Sequence, residues 1–444
     1  MGLMPNRSDK RLLELRTIGG AIALLLMTGH AALPAFSAEA MESRSETRYQ
    51  DKTRADLNQQ WDELEQWAEQ AFIDGKKEEA RKLWMKALLF AQDNGQELNA
   101  ATTLNQLNHL FVETGEFTEA FSSLTQALEI RERLLGKEHI LTAESLGNLA
   151  LINHKLGHDK EAEDLYNQSL AIKDNLLGRD SPESAVTLHN LAELYSKHRQ
   201  YEQARRTFDR ALSIDRKHHG DNDVEVVRDL ISLAINSYRC RKWEESRGHL
   251  EDALKRIEQS EDGDKPETRL VKEKEKLSVF HYLGLCQARL GDHKKAHEYY
   301  ALAREIGHRL HGKHHPANTM ALINLGRSSE ELGESKEAEK LFMEALAHEK
   351  ARDPLDPFLL TQCNLELGHY FHRQDMSDQA EQFYRDALRT YNDLEEHQQR
   401  KLYELPSAMA DLLRKTGNKE EAEEVSKRYL QIHTPHRNEH FRFK

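Results

Sequence analysis

Histidine is the residue whose number and spacing first invite chemistry, with 24 copies in 444 residues. His308, His311, His314 and His315 surround one helix end and its connector, and His433, His436 and His440 punctuate the C-terminal stretch at separations near those of zinc ligands. Metal chemistry needs more than proximity. No Cys or organised carboxylate accompanies either group, and nothing in the terminal stretch would hold ligand geometry. No metal site is expected. Catalytic patterns are missing too: there is no Gly-rich phosphate loop, Ser nucleophile elbow or His-Glu-x-x-His zinc helix. Carboxylates alternate with cations, as at Lys336, Glu337, Glu339 and Lys340, the pattern of a solvated helix face. Cys240, Cys286 and Cys363 are odd in number and far apart, which suits small buried thiols rather than a disulfide framework. No catalytic residue and no cofactor are assigned, and the chain is read as a non-enzyme.

The elements that must position these residues are helices. Nine prolines, a charged fraction of 31% and a hydrophobic fraction of 38% favour thin helix layers over a many-stranded globule. The net charge of −13, with no basic stripe to offset it, repels phosphate backbones and excludes nucleic acid as a partner.

One pattern recurs nine times, the last imperfectly because Ser426 replaces the large residue: a small residue, a large apolar or aromatic one four later, and another small residue three after that. Its leading residues are Ala80, Ala120, Ala162, Ala204, Ser246, Ala296, Ala338, Ala380 and Ala422, spaced by 40, 42, 42, 42, 50, 42, 42 and 42. Twelve positions before each stands a compact landmark: Ala68, Asn108, Ala150, Ala192, Ala234, Gly284, Gly326, Gly368 and Ala410. Between the two, most units place a turn glycine such as Gly115 or Gly333. Each unit is therefore helix, turn, helix, with Ala or Gly where the two helices approach most closely. The aromatic four beyond the leading residue, such as Tyr166, Phe342 or Tyr384, is expected to pack between one helix pair and the next. A single hairpin cannot bury its apolar faces, so the units must stack into one all-α solenoid.

The stretches LGKEHILTAESLGNLALINHKLGHDKEAEDLYNQSL from Leu135, LGRDSPESAVTLHNLAELYSKHRQYEQARRTFDRAL from Leu177 and GKHHPANTMALINLGRSSEELGESKEAEKLFMEAL from Gly312 strongly resemble the tetratricopeptide repeats of kinesin light chains and their bacterial relatives. The resemblance runs from about Asp51 to Leu430 and implies a right-handed superhelix of about nine units. It also implies that the first helix of each unit lines a concave groove, where an Asn two before the landmark hydrogen-bonds the backbone of an extended peptide. Asn148, Asn190 and Asn324 stand there, and His189, Glu193, Arg228, Tyr238 and Arg327 are their neighbouring candidates. The arginines suit a polar ligand with some acidic character.

Before the repeats, Arg7, Lys10, Arg11 and Arg16 precede an apolar run from Ile18 to Leu33 and a small-residue stretch from Ala35 to Ala40, the pattern of an export signal or, alternatively, an N-terminal membrane anchor. The expected organisation is signal or anchor at 1–40, charged lead-in at 41–54, five units at 55–258, an inserted loop at 259–269, four units at 270–430 with the last as a cap, and a mobile tail at 431–444. The expected function is an exported, periplasmic or secreted adaptor that binds a protein or peptide. A regulatory or substrate-positioning subunit of an envelope enzyme complex, and a histidine-based metal-binding protein, are the alternatives.

Overall fold

The computed structural model describes residues 38–260, 266–313 and 315–430; the expected export signal up to residue 37, His314, the connector at 261–265 and the tail with His433, His436 and His440 lie outside the described residues. Among the described residues there are nineteen helices and no strand. In chain order they are α1 (Ala38–Ile73), α2 (Lys77–Asp93), α3 (Glu97–Thr114), α4 (Phe117–Leu135), α5 (Ile140–Leu156), α6 (Asp159–Leu177), α7 (Pro182–Lys197), α8 (Tyr201–His219), α9 (Val224–Arg239) and α10 (Trp243–Gln259). There follow α11 (Pro266–Arg289), α12 (His293–His311), α13 (Pro316–Glu331), α14 (Ser335–Lys350), α15 (Pro357–Arg373), α16 (Ser377–Tyr391), a short α17 (Glu396–Gln399), α18 (Glu404–Lys415) and α19 (Lys419–Leu430). The charged lead-in is helical, because α1 already begins at Ala38 and its Glu, Arg and Gln residues favour helix. The second part of the expected loop is helical as well, since Pro266 opens α11 at the first helical position, where a missing N–H costs nothing.

Two compact units, Met1–Thr103 and Leu104–Lys444, divide the chain. In the first, α1 packs on α2 over Leu64, Ala68, Ala80, Trp84 and Ala87. Its buried polar feature is Glu65. The carboxylate accepts hydrogen bonds from Trp84 Nε1 at 3.1 Å and from the Thr103 hydroxyl, which itself accepts from Trp61 Nε1 at 3.0 Å. Burial pushes this carboxyl up to about 7, against the pull of those two donors.

In the second unit each helix from α4 to α15 packs on the next and α16 packs on α18, and first helices of neighbouring pairs also touch, as α7 does α9, α9 does α11 and α13 does α15. One core runs from Ala150 to Cys286, passing through Leu250, Ala253 and Ile257 to Val279 and Leu283 across the 259–269 segment; a second runs from Ala296 to Tyr429. The nine leading residues of the repeat have no exposed surface. The large residues before the landmarks are buried in eight units, whereas Trp67 is 56% exposed, because among the described residues no earlier helix pair stacks on α1.

The aromatic residues serve both spaces. Phe342 meets the ring of Tyr370 in the next pair at 6.1 Å and also lies against the landmark of its own unit: a Cβ on Gly326 would stand 2.6 Å from Phe342 Cε1 and 2.8 Å from Cδ1. Tyr300 meets Gly284 and Tyr384 meets Gly368 in the same way, whereas the first five units carry Ala or, in the second, Asn108 at the landmark. Gly326→Ala is expected to cost about 1–2 kcal/mol, because the fully packed ring has no room to retreat. Hydrogen-exchange protection of α13 and α14 measures it, and unchanged protection would refute the close packing.

The turns hold a second surprise. Gly75, Gly115, Gly157, Gly291, Gly333 and Gly417 adopt positive φ between paired helices, and the units without glycine keep the same left-handed geometry with Arg199 at φ 61°, Arg241 at φ 62° and Asp375 at φ 57°. The turn shape is dictated by the helix pair, not by glycine.

Candidate functional site

Helical spacing puts the positions six and two before the landmark, and one and five after it, on one face of each first helix. On α7 these are Val186, Asn190, Glu193 and Lys197; on α9, Arg228, Ser232, Ile235 and Arg239; on α11, Ser278, Tyr282, Leu285 and Arg289. On α13 they are Met320, Asn324, Arg327 and Glu331, and on α15 Gln362, Glu366, His369 and Arg373. Because these helices lie side by side, the rows continue from one helix to the next as a ladder.

The three asparagines differ in state. Asn148 donates through Nδ2 to Asn105 Oδ1 at 3.1 Å, so its amide is partly used within the chain. Asn190 is half-buried and has no hydrogen-bond partner among the described residues. Asn324 is 4% exposed, and its Nδ2 is buried without a partner. An amide N–H left that way costs free energy unless something supplies an acceptor.

The charged candidates are already engaged across the ladder. His189 Nδ1 is 2.7 Å from Asp229 Oδ1, with Glu193 Oε1 at 3.7 Å from Nε2 and the edge of Phe208 packed against its ring. Burial disfavours the imidazolium, but hydrogen bonds to Asp229 and Glu193 and their charges hold its pKa up at about 9. The same hydrogen bond from His189 lowers Glu193. Arg228 donates to Glu275 at 3.0 Å and to Glu225 at 2.9 Å, and Arg327 grips the buried Glu366 through two parallel bonds, one of them 3.0 Å from Nε. Burial opposes both arginine charges, and the neighbouring carboxylates raise both pKa values above the ordinary range. Tyr238 accepts from Arg289 Nε at 3.4 Å and meets the ring of Tyr282 edge to face at 6.2 Å. Thus His189, Glu193, Arg228 and Tyr238 form one group over α7, α9 and α11, while Asn324 and Arg327 belong with Glu366 over α13 and α15.

Several residues of this face escape motif reading: Asp229, Tyr282, Arg239, Arg289, Glu366 and Arg373. For Asp229, Glu366 and Arg373 the signal is charge compensation at about one repeat length, as with Arg327 and Glu366 or Arg373 and Glu330; Tyr282, Arg239 and Arg289 carry no such signal. Beneath the face, Asp215 of α8 lies against Asp229 of α9, both buried. Burial first, and then the Asp229 charge, raise the Asp215 carboxyl to about 7. Among the described residues no group of three or more His, Cys, Asp or Glu could hold a metal ion; His311 and His315 stack ring on ring at 4.2 Å.

A tetratricopeptide repeat family model matches residues 99–175, 172–217 and 275–350. Among solved structures, the apo form of RapI aligns at a TM-score of 0.62 and 16% identity, over 85% of this chain and 97% of that one. A Rap protein complexed with Competence and Sporulation Factor aligns at 0.53 and 18%, over 86% and 98%. A putative kinesin light chain from Podosopora anserina with nearly identical TPR-like repeats aligns at 0.40 and 21%, over 48% and 97%. No curated protein matches.

Proposed function

We propose that this chain, a member of the tetratricopeptide repeat family, works as an adaptor whose first helices form a groove holding an extended segment of another protein. The observation that carries this reading is the repeated asparagine position: Asn190 without a partner and Asn324 with a buried, unmatched N–H stand at the same register position of units four and seven. A backbone amide has the complementary donor and acceptor, so a peptide laid across the row would satisfy both. A structural neighbour, the Rap protein, is complexed with Competence and Sporulation Factor, which supports a bound partner as the working state of this architecture. The basic, apolar and small-residue order of the first forty residues supports a place of work outside the cytoplasm. The role asks for no catalytic step.

The test replaces Asn148, Asn190 and Asn324 together by Ala and compares affinity capture from envelope fractions with that of the native chain. The expected outcome is at least a tenfold loss of the captured partner with helicity unchanged by circular dichroism. Undiminished capture refutes the groove assignment.

A further inference from the structure

The register of the ladder contains its own control. Five positions after the landmark, α9, α11 and α15 each carry an arginine, and each reaches back to the residue four after the landmark on the preceding first helix. Arg373 finds Glu330 there and makes two bonds of 2.6 Å, a closed ion pair. Arg239 finds the hydroxyl of Ser196 at 3.1 Å, and Arg289 the hydroxyl of Tyr238 at 3.4 Å. Both guanidiniums are exposed, and neither has a carboxylate partner among the described residues. Elsewhere on the face Arg228 and Arg327 are neutralised by Glu225, Glu275 and Glu366. A chain of net charge −13 has acid to spare, yet at these two rungs the partner is neutral.

The two arginines are joined through a tyrosine pair. Tyr238, the partner of Arg289, packs edge to face on Tyr282, whose hydroxyl burial pushes upward while the nearby Arg239 charge draws it down. Tyr282 stands where units three, four and seven carry Asn. This rung therefore offers two uncompensated guanidinium forks and two phenol hydroxyls beside the amide row. A guanidinium fork fits a carboxylate in bidentate fashion, and a flanking phenol can add a donor.

We infer that Arg239 and Arg289, with Tyr238 and Tyr282 between them, form an anion-reading rung of the groove that takes acidic side chains of the bound protein segment. The inference rests on the groove reading above and adds the partner's chemistry: an extended segment with Asp or Glu at the rung and backbone amides over the asparagines. An acidic ligand approaching an acidic protein gains selectivity from such a placement, because the net charge of the chain repels it while this rung attracts it.

The full chain is titrated, by fluorescence anisotropy, with a rhodamine-labelled deca-glutamate peptide blocked at its C-terminus, with the matching blocked deca-glutamine peptide, and with deca-glutamine bearing a free terminal carboxylate. The expected result is at least tenfold tighter binding of deca-glutamate than of either other probe, weakening with added salt. Arg239→Gln with Arg289→Gln should reduce that affinity at least tenfold, Arg239→Lys with Arg289→Lys should retain much of it, and Arg373→Gln should leave it within about twofold. Equal binding of the blocked probes, or equal loss in Arg373→Gln, overturns the assignment. Tightest binding of the free-carboxylate probe overturns it in favour of a chain terminus. If the acidic probe fails while the triple asparagine variant still loses its captured partner, the anion-reading rung is wrong and the groove stands; arginine-dependent probe binding with unaltered capture condemns the groove alone.

Discussion

Replacing Asp215 by Asn is expected to strengthen the α8–α9 seam by about 2–4 kcal/mol at pH 8 and to change it little at pH 4. Asp215 is 7% exposed and Asp229 1% exposed, so both carboxyls sit where charge is poorly solvated. Burial first, and then the Asp229 charge with Glu225 and Asp223 behind it, raises the Asp215 carboxyl from 3.8 to about 7. His219 approaches from its own helix at 3.8 Å, and His189 of α7 is already engaged with Oδ1 of Asp229. A group whose folded pKa is raised stabilises the fold fully below its unfolded value and loses that contribution as pH climbs to the folded one. Asp215 therefore weakens the seam between pH 4 and 7. His189, raised from 6.5 to about 9, loses its contribution over the next interval, so the two effects run in the same direction toward alkali. Asn keeps the neutral shape of protonated Asp and has no second step. Because stacked repeats open locally, hydrogen exchange of α8 and α9 amides at pH 5 to 8 is the right readout. Parallel pH profiles for the variant and the native chain would show that the Asp215 carboxyl is not raised.

The repeat was legible because its constraints are local and apolar. A leading Ala or Ser, a small landmark twelve residues earlier and an aromatic four later all answer to helix spacing, and the buried leading residues obey it in every unit. What the pattern cannot carry is the identity of a partner on another helix. Arg327 and Arg239 look alike in sequence, yet one is locked to a buried carboxylate and the other touches only a serine hydroxyl. Asn148 and Asn324 match in register, but Asn105 engages the first while the second is buried with an unmatched N–H. Turn residues show the same limit: Arg199 and Arg241 carry no turn signal, and the packed helix pair imposes left-handed backbone on them regardless. Three-dimensional compensation at one repeat length is the missing information, and it becomes readable only once the repeat itself has been aligned.

That compensation decides how arginine variants of this face should behave, and Arg327→Gln is the case with the largest expected cost, about 2–3 kcal/mol. Arg327 is about half exposed at 47%, whereas the Glu366 side chain it grips is 5% exposed. The variant leaves a carboxylate in a buried setting with its principal donor gone, and the penalty is the stranded charge more than the lost pair. Removing both charges, as Arg327→Leu with Glu366→Leu, should recover most of the stability, since a well-packed apolar pair replaces a buried ion pair with little loss. Hydrogen exchange of α13 and α15 in the single and double variants measures the coupling directly. The same variants separate support from contact. If Arg327 only braces the groove, partner capture fails in the single variant and returns in the double one along with protection of α13. If Arg327 touches the ligand, protection returns and capture does not, because neither leucine can replace a guanidinium facing a carboxylate.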